Sequence, residues 1–249
     1  MRFSFMALLV CCLSACASFE TAKMMPTVGQ QALVRDGVPA IISQKPGSIV
    51  IARPAGRQFQ TGTRPVYVIA IFNPTKTPIQ FSASGISVEQ TLDDGKSKEL
   101  KVFSYDELVS EEKTRQAFHA FAVGLSAAGN SMQAANAGRY NAYGTAYTPQ
   151  GNVSYTVHGY DPVAASIAQS NATAVNNQMI QTAIQQGQNN LDALERSILK
   201  DDTILSGEWY GGKVVFEAPT GENSKRYKMT VLVGSETHEF EIDQAHVAR

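Results

Sequence analysis

Residues 139–160 read RYNAYGTAYTPQGNVSYTVHGY: five tyrosines around a Thr-Pro-Gln-Gly centre, set between two long runs rich in alanine, glutamine and asparagine. Proline in the second place and glycine in the fourth suit a type I turn. The stretch therefore predicts a β-hairpin over 140–159 that reverses at Thr148-Pro149-Gln150-Gly151. Alternation along the strands aligns Tyr143, Thr145 and Tyr147 with Val153, Tyr155 and Val157 on one face. Ala142, Gly144 and Ala146 then share the other face with Ser154, Thr156 and His158. An isolated two-stranded hairpin is marginal in water, so the aromatic face needs a surface to lie on. That surface is either the chain's own helices and strands or another molecule. Tyr143, Tyr147, Val153, Tyr155 and Val157 are thus the candidate partner contacts, because tyrosine offers a large area with a polar end at modest entropic cost.

Working outward, Ser104-Tyr-Asp-Glu107 has the form of a capping box, in which serine and a glutamate three residues on satisfy the first free amides of a helix. The run that follows has no proline as far as Asn136. Ala117, Ala120, Gly124, Ala128, Ser131 and Ala135 recur on one face at spacings of three and four. Small residues in that pattern let a second helix approach closely, which makes Ala120, Gly124, Ala128 and Ser131 the candidate helix-packing positions. His119, Asn130, Gln133 and Asn136 argue against a lipid setting for this helix. Beyond the hairpin, Asp161-Pro162 supplies an N-cap and a proline at the first helical position. The second helix continues to Lys200, with Ala164, Ala168, Val175, Met179, Ala183, Gly187, Leu191, Leu194 and Ile198 along one stripe. At 1.5 Å per residue the two helices are roughly 45 Å and 55 Å long. Residues 105–201 are expected to form a helical-hairpin arm with the β-hairpin at its tip.

The arm interrupts a series of strands. SIVIA at 48–52, IQF at 79–81, ISVEQ at 86–90 and ELKVFS at 99–104 precede it, and VYVIAIF at 66–72 is apolar at both parities, as a central strand would be. GKVVFE at 212–217, YKMTVLV at 227–233 and THEFEI at 237–242 follow it, separated by turn-forming segments. Seven or eight short antiparallel strands suffice for a β-sandwich. Its first part is read at 48–104 and its second at 202–243, with a tail at 244–249. Residues 16–47, with Pro26, Pro39 and Pro46 and no sustained period, read as a tether.

The chain starts MRFSFMALLVCCLSAC, one basic residue, Arg2, ahead of an apolar run too short to span a bilayer, which is the form of an export signal. Leu13-Ser14-Ala15-Cys16 closes the run and resembles the lipobox of bacterial lipoproteins. The resemblance implies a signal peptide at 1–15, cleavage between Ala15 and Cys16, and a diacylglyceryl thioether on Cys16 with the new amine acylated. At about 0.8 kcal/mol per buried methylene, more than one acyl chain makes a stable anchor. Ala17 stands where aspartate would signal retention at the inner membrane, so the resemblance implies the outer membrane, or the outer face where there is one membrane. An ordinary secretory signal is the alternative reading. The three cysteines, Cys11, Cys12 and Cys16, all lie here, so a processed chain has no disulfide to form and depends on its core.

A second resemblance lies in the strands. VIAIFNPT at 68–75, PIQF at 78–81 and GGKVVFEAP at 211–219 look like the immunoglobulin-like domains of many poorly characterised bacterial lipoproteins. It implies an immunoglobulin-like antiparallel β-sandwich interrupted by the helical hairpin, together with an envelope setting, and brings no catalytic residue with it.

Patterns that would carry chemistry are incomplete. GLSAA at 124–128 lacks the last glycine of a Gly-x-Ser-x-Gly elbow and sits inside a helix. His238-Glu239 lacks the second histidine of a zinc motif, and alternation places His238 with Phe240 and Ile242 on a strand's inner face. Asp93-Asp94-Gly95 and Asp201-Asp202 lack the ligand spacing of a calcium loop. We therefore expect no catalytic residue, no metal and no cofactor. A formal charge of −1, or −2 once Arg2 leaves with the leader, gives no reason to expect nucleic acid. The expected function is non-enzymatic interaction or assembly in the cell envelope. Its partners would be the membrane, through the lipid on Cys16, and either further copies of the chain or another envelope protein. A periplasmic ligand-binding module, for glycan or a client lipoprotein, is the second reading and an unrecognised enzyme the third.

Overall fold

The computed structural model describes residues 18–35, 37–148, 151–221 and 224–247; Ala15 and Cys16 fall outside them, as does the centre of the hairpin turn at 149–150. The chain opens with β1 (Phe19–Met25), β2 (Gln30–Arg35), β3 (Val38–Gln44), β4 (Ile49–Pro54) and β5 (Phe59–Gln60). It continues through β6 (Val66–Phe72), β7 (Ile79–Phe81), β8 (Ile86–Thr91), β9 (Ser97–Leu100) and β10 (Val102–Phe103). Then come α1 (Tyr105–Asn136), β11 (Arg139–Thr148), β12 (Gly151–Tyr160) and α2 (Pro162–Ser197). The last elements are β13 (Asp202–Ile204), β14 (Trp209–Phe216), β15 (Lys225–Val233) and β16 (Glu236–His246). Two compact units result, one from the strands before α1 and after α2, the other spanning Tyr105–Ser197.

The strand unit holds two six-stranded antiparallel sheets, ordered β5-β1-β16-β15-β8-β9 and β10-β14-β6-β4-β3-β2, and a small pair, β13-β7. Alternation drives both sheets. Tyr67, Ile69 and Ile71 of β6 turn inward, as do Tyr227, Met229 and Val231 of β15 and Phe240 and Ile242 of β16. Their inner faces meet in one core, where the Tyr67 and Tyr227 rings lie edge to face at 6.4 Å and Phe216 lies 5.5 Å from Tyr227. Each such side chain is worth about 1.5–3 kcal/mol when removed from water. The described residues include no cysteine, so this burial is what holds them together.

Three expected boundaries are corrected. Residues 16–47, read as a tether, contain β1, β2 and β3, and β1 pairs with β16 from Glu20↔His246 to Met25↔Glu241. The alternation of β1 is concealed because one of its inward positions is a glutamate: Glu20, Ala22 and Met24 are the buried residues. Pro39 sits in β3 beyond the stretch paired with β4, where no ladder bond needs its missing amide. The expected tail at 244–249 begins inside β16, whose pairing with β1 carries it to His246. Expected at 201, the helical segment ends instead at Ser197. Leu199 donates its amide to the Lys213 carbonyl at 3.0 Å and belongs to the core.

In the second unit, Asp161 caps α2 as its sequence predicts, its Oδ1 accepting from the amides of Val163 at 2.8 Å and Ala164 at 3.1 Å. The helices run antiparallel, since Glu112 meets Asn190, Gln116 meets Gly187 and Asn130 meets Asn176. Among the described residues no helix is long and apolar enough to cross a membrane.

Candidate functional site

From Glu112 onward, the positions of α1 that are at least partly buried are Glu112, Gln116, Val123, Ala127, Asn130, Ser131 and Ala134, and this is the face turned to α2. Two polar layers fix the register. In one, the buried Glu112 accepts from Gln116 at 2.9 Å and Asn190 at 3.0 Å through Oε1, and from Arg115 through Oε2. Burial works against its charge, but these donors together hold its carboxyl below the usual range. In the other, Asn130 donates to Asn176 at 2.9 Å and Asn176 donates to the Ala127 carbonyl at 3.1 Å. The expected face of Ala120, Gly124, Ala128 and Ser131 is therefore rotated from the observed one. Ser131 accepts from Asn176 of α2, Ala128 is exposed, and Ala120 and Gly124, both exposed, border a groove of about 380 Å³ that α2 also lines. With alanine at so many spacings, the small-residue pattern does not single out one face, and the polar residues decide.

The side of α1 turned away from α2 is apolar. Phe118, Phe121, Leu125 and Met132 are 60–72% exposed, and with Ala128 they recur at intervals of three and four. That is the seam spacing of a helix with a partner. Between residues 116 and 191 the only formal charges besides the histidines are Arg139 and Asp161, against 17% charged residues in the whole chain. Helix surfaces meant for water carry interspersed charges; this stretch has almost none, and the unit's other charges lie near the outer ends of the two helices, at 106–115 and 192–196.

The hairpin forms, with Thr148↔Gly151 next to the turn, but its faces differ from those expected. Directly paired residues share a face. Pairing of Tyr143 with Thr156, Gly144 with Tyr155 and Ala146 with Val153 puts Tyr143 and Tyr147 opposite to Val153, Tyr155 and Val157. One face thus bears Tyr140, Ala142, Gly144, Ala146, Val153, Tyr155, Val157 and Gly159. The other bears Arg139, Asn141, Tyr143, Thr145, Tyr147, Asn152, Ser154, Thr156, His158 and Tyr160. The Thr-Pro-Gln-Gly turn pairs residues of opposite parity, which the sequence alignment overlooked. On the first face each tyrosine lies over a glycine: a Cβ on Gly144 would come within 2.5 Å of the Tyr155 ring, and one on Gly159 would collide with Tyr140. On the second, His158 Nδ1 lies 2.6 Å from Asn141 Oδ1, and Tyr143 and Tyr147 are 80% and 82% exposed.

In the strand unit the sequence missed two buried polar clusters. His238 lies on the inner face with Phe240 and Ile242, its Nε2 2.8 Å from Ser48 Oγ and its Nδ1 2.9 Å from Ser43 Oγ. Ser48 donates to Glu236 at 2.5 Å. A serine, a histidine and a glutamate in line suggest a nucleophile, but Ser48 and His238 are both closed to solvent and no acid backs Nδ1. Burial, then the Lys45 charge, brings the His238 pKa from 6.5 to about 4, with Glu236 opposing. In the second cluster Lys225 donates to Glu20 at 2.6 Å, Gln244 donates to the same carboxylate, and Tyr227 links Gln244 to Tyr67 by bonds of 2.7 and 2.8 Å. Burial raises the Glu20 pKa, yet the Lys225 and Gln244 donors outweigh it and keep the carboxyl low. Both clusters join strands of different pairing and have every polar group engaged, which is a structural use.

Ser126 lies on α1 and donates to the Ala122 carbonyl at 3.0 Å. Asp201 accepts from Ser82 and from the Ala83 amide, and Asp94 pairs with Lys96. Among the described residues no three histidine, aspartate or glutamate side chains gather as metal ligands would. The chain matches no family model, no curated protein and no solved structure.

Proposed function

We propose that this chain is a lipid-anchored cell-envelope protein with a non-enzymatic assembly role, in which the helical hairpin and its β-hairpin make the contacts. In this reading Cys16 carries the anchor, in the outer membrane, and the strand unit is an immunoglobulin-like β-sandwich. Two six-stranded sheets sharing one core support the sandwich. The leader residues Leu13-Ser14-Ala15-Cys16 support the anchor. The observation that carries the assembly role is the seam of Phe118, Phe121, Leu125, Ala128 and Met132, in a stretch, 116–191, whose only formal charges besides the histidines are Arg139 and Asp161. Exposed apolar area of that extent, with regular spacing, favours burial against another protein surface. We take the partner to be a further copy of this chain, since an uncharged face lacks the electrostatic complementarity that selects a different partner.

A photocrosslinker at Phe121 in cells, with a control at the exposed Thr237, tests this. An adduct at multiples of the chain's own mass from Phe121 alone is expected. Adducts of unrelated mass would assign a different partner, and absence of any adduct from folded protein would remove the assembly reading.

The groove between the helices favours the client-lipoprotein form of the second reading, because Ala120, Val123, Gly124, Ile180 and Ile184 line it. Displacement of a fluorescent fatty acid from the purified chain would support it; no binding would dismiss it.

A further inference from the structure

The β-hairpin has a binary pattern that its helices do not. Every residue on the face of Tyr140, Ala142, Gly144, Ala146, Val153, Tyr155, Val157 and Gly159 is apolar, small or tyrosine, and the opposite face, besides Arg139 at the base and the exposed Tyr143, Tyr147 and Tyr160, carries the polar residues Asn141, Thr145, Asn152, Ser154, Thr156 and His158. Both β11 and β12 are ten residues long. A strand of that length extends roughly 33 Å and, tilted by about 40°, rises roughly 25 Å, the height of the apolar band of an outer-membrane barrel. The one formal charge in the hairpin, Arg139, sits at its base, and Asp161 follows just outside it. β11 and β12 pair only with each other, so the outer edge of each strand carries a row of free backbone donors and acceptors. Such edges invite further strands, and a strand can lie in lipid only where the sheet closes on itself.

We propose that β11 and β12 are the membrane-crossing staves of a β-barrel built from several copies of this chain, with Tyr140, Ala142, Val153, Tyr155 and Val157 toward lipid and Asn141, Thr145, Ser154 and Thr156 toward an aqueous lumen. The proposal rests on the assembly reading, because one hairpin has two open edges and only neighbouring copies of the same hairpin supply matching ones. Two strands per copy and a smallest barrel of eight strands require about four copies or more. Tyr140 over Gly159 and Tyr155 over Gly144 fit this setting: an aromatic ring covers the backbone that glycine would leave bare on the lipid side. Exposed apolar side chains on this face, which have no explanation in water, acquire one in hydrocarbon.

The test uses the full chain, reconstituted into vesicles of phosphatidylcholine and phosphatidylglycerol, with its mass measured in detergent before reconstitution. Its cysteines all lie at or before Cys16, so Cys11→Ala and Cys12→Ala with Cys16 lipidated leave a background for single probes. An environment-sensitive fluorophore is placed at Ala142→Cys, Val153→Cys and Val157→Cys, and separately at Thr145→Cys, Ser154→Cys and Thr156→Cys. Barrel staves give a two-residue alternation: the first three are quenched several-fold more by nitroxide-labelled lipid than by iodide, and the second three show the reverse. Quenching of all six by iodide alone overturns the proposal. The mass separates the two failures: iodide quenching in a multimer removes the barrel and leaves assembly standing, while a single-chain mass removes both. A stable assembly of two or three copies also contradicts the barrel.

Discussion

Lys225 and Glu20 are enclosed where β15 and β1 both border β16, and breaking such a pair leaves a charge in the core. Lys225→Met is expected to lower stability by about 3–5 kcal/mol, seen as a fall in the urea midpoint with little change in slope. His238 acts through pH. Unfolded, it binds a proton near 6.5; folded, it does so only near 4, because burial and Lys45 disfavour the charge that Glu236 would favour. The depressed pKa of a base means that stability is intact above about 6.5 and declines as pH falls toward 4, by about 3 kcal/mol at most. The Glu20 and Glu236 carboxyls are both held low, so the stability they add is lost only as pH falls through the ordinary carboxylate range and below it. Urea midpoints of the native chain should fall between about pH 7 and about pH 5, and those of His238→Gln should not. The inward direction of His238 was legible from alternation with Phe240 and Ile242. Its serine partners come from β3 and the loop before β4, over 180 positions away in the chain, and no local pattern announces them. Glu20 shows the converse, a charged residue whose burial conceals the period of its own strand.

At the level of elements, helix ends were legible and faces were not. Asp161-Pro162 marks the start of α2 because capping is local chemistry between neighbours. The α1 face toward α2 depends on which of many alanines meet a partner, and Glu112, Asn130 and Asn176 settle it by forming bonds that only one rotation allows. Where α1 passes into β11, Gly138 accepts from the Asp161 amide at 2.7 Å, and a Cβ there would lie 2.6 Å from the Asp161 carbonyl and 2.8 Å from Ala165. Those are positions that cannot give way without moving the start of α2. Gly138→Ala should therefore cost about 1–3 kcal/mol in the helical unit, measured as an earlier loss of helical circular dichroism on heating. A wild-type melting curve would contradict the close approach. The hairpin teaches the same lesson about register: existence and turn were readable, but a one-residue error in parity exchanged the partners of every tyrosine.

For the whole molecule, two units divide the work. The strand unit buries Tyr67, Phe216, Tyr227 and Phe240 in one core and bonds the polar groups of its Glu20 and His238 clusters. The helical unit leaves Phe118, Phe121, Leu125 and Met132 in water, and between residues 116 and 191 it carries only Arg139 and Asp161 as formal charges besides the histidines. Assembly is the condition in which that surface is favourable. The most direct measurement is the mass of the lipidated chain extracted in mild detergent, by light scattering corrected for bound detergent, for the native protein and for Leu125→Glu. Because Leu125 is exposed, the variant should retain the native fold by circular dichroism. The account predicts several copies per particle for the native chain and one for the variant. A single copy in the native protein, or an assembly indifferent to the glutamate, would contradict it.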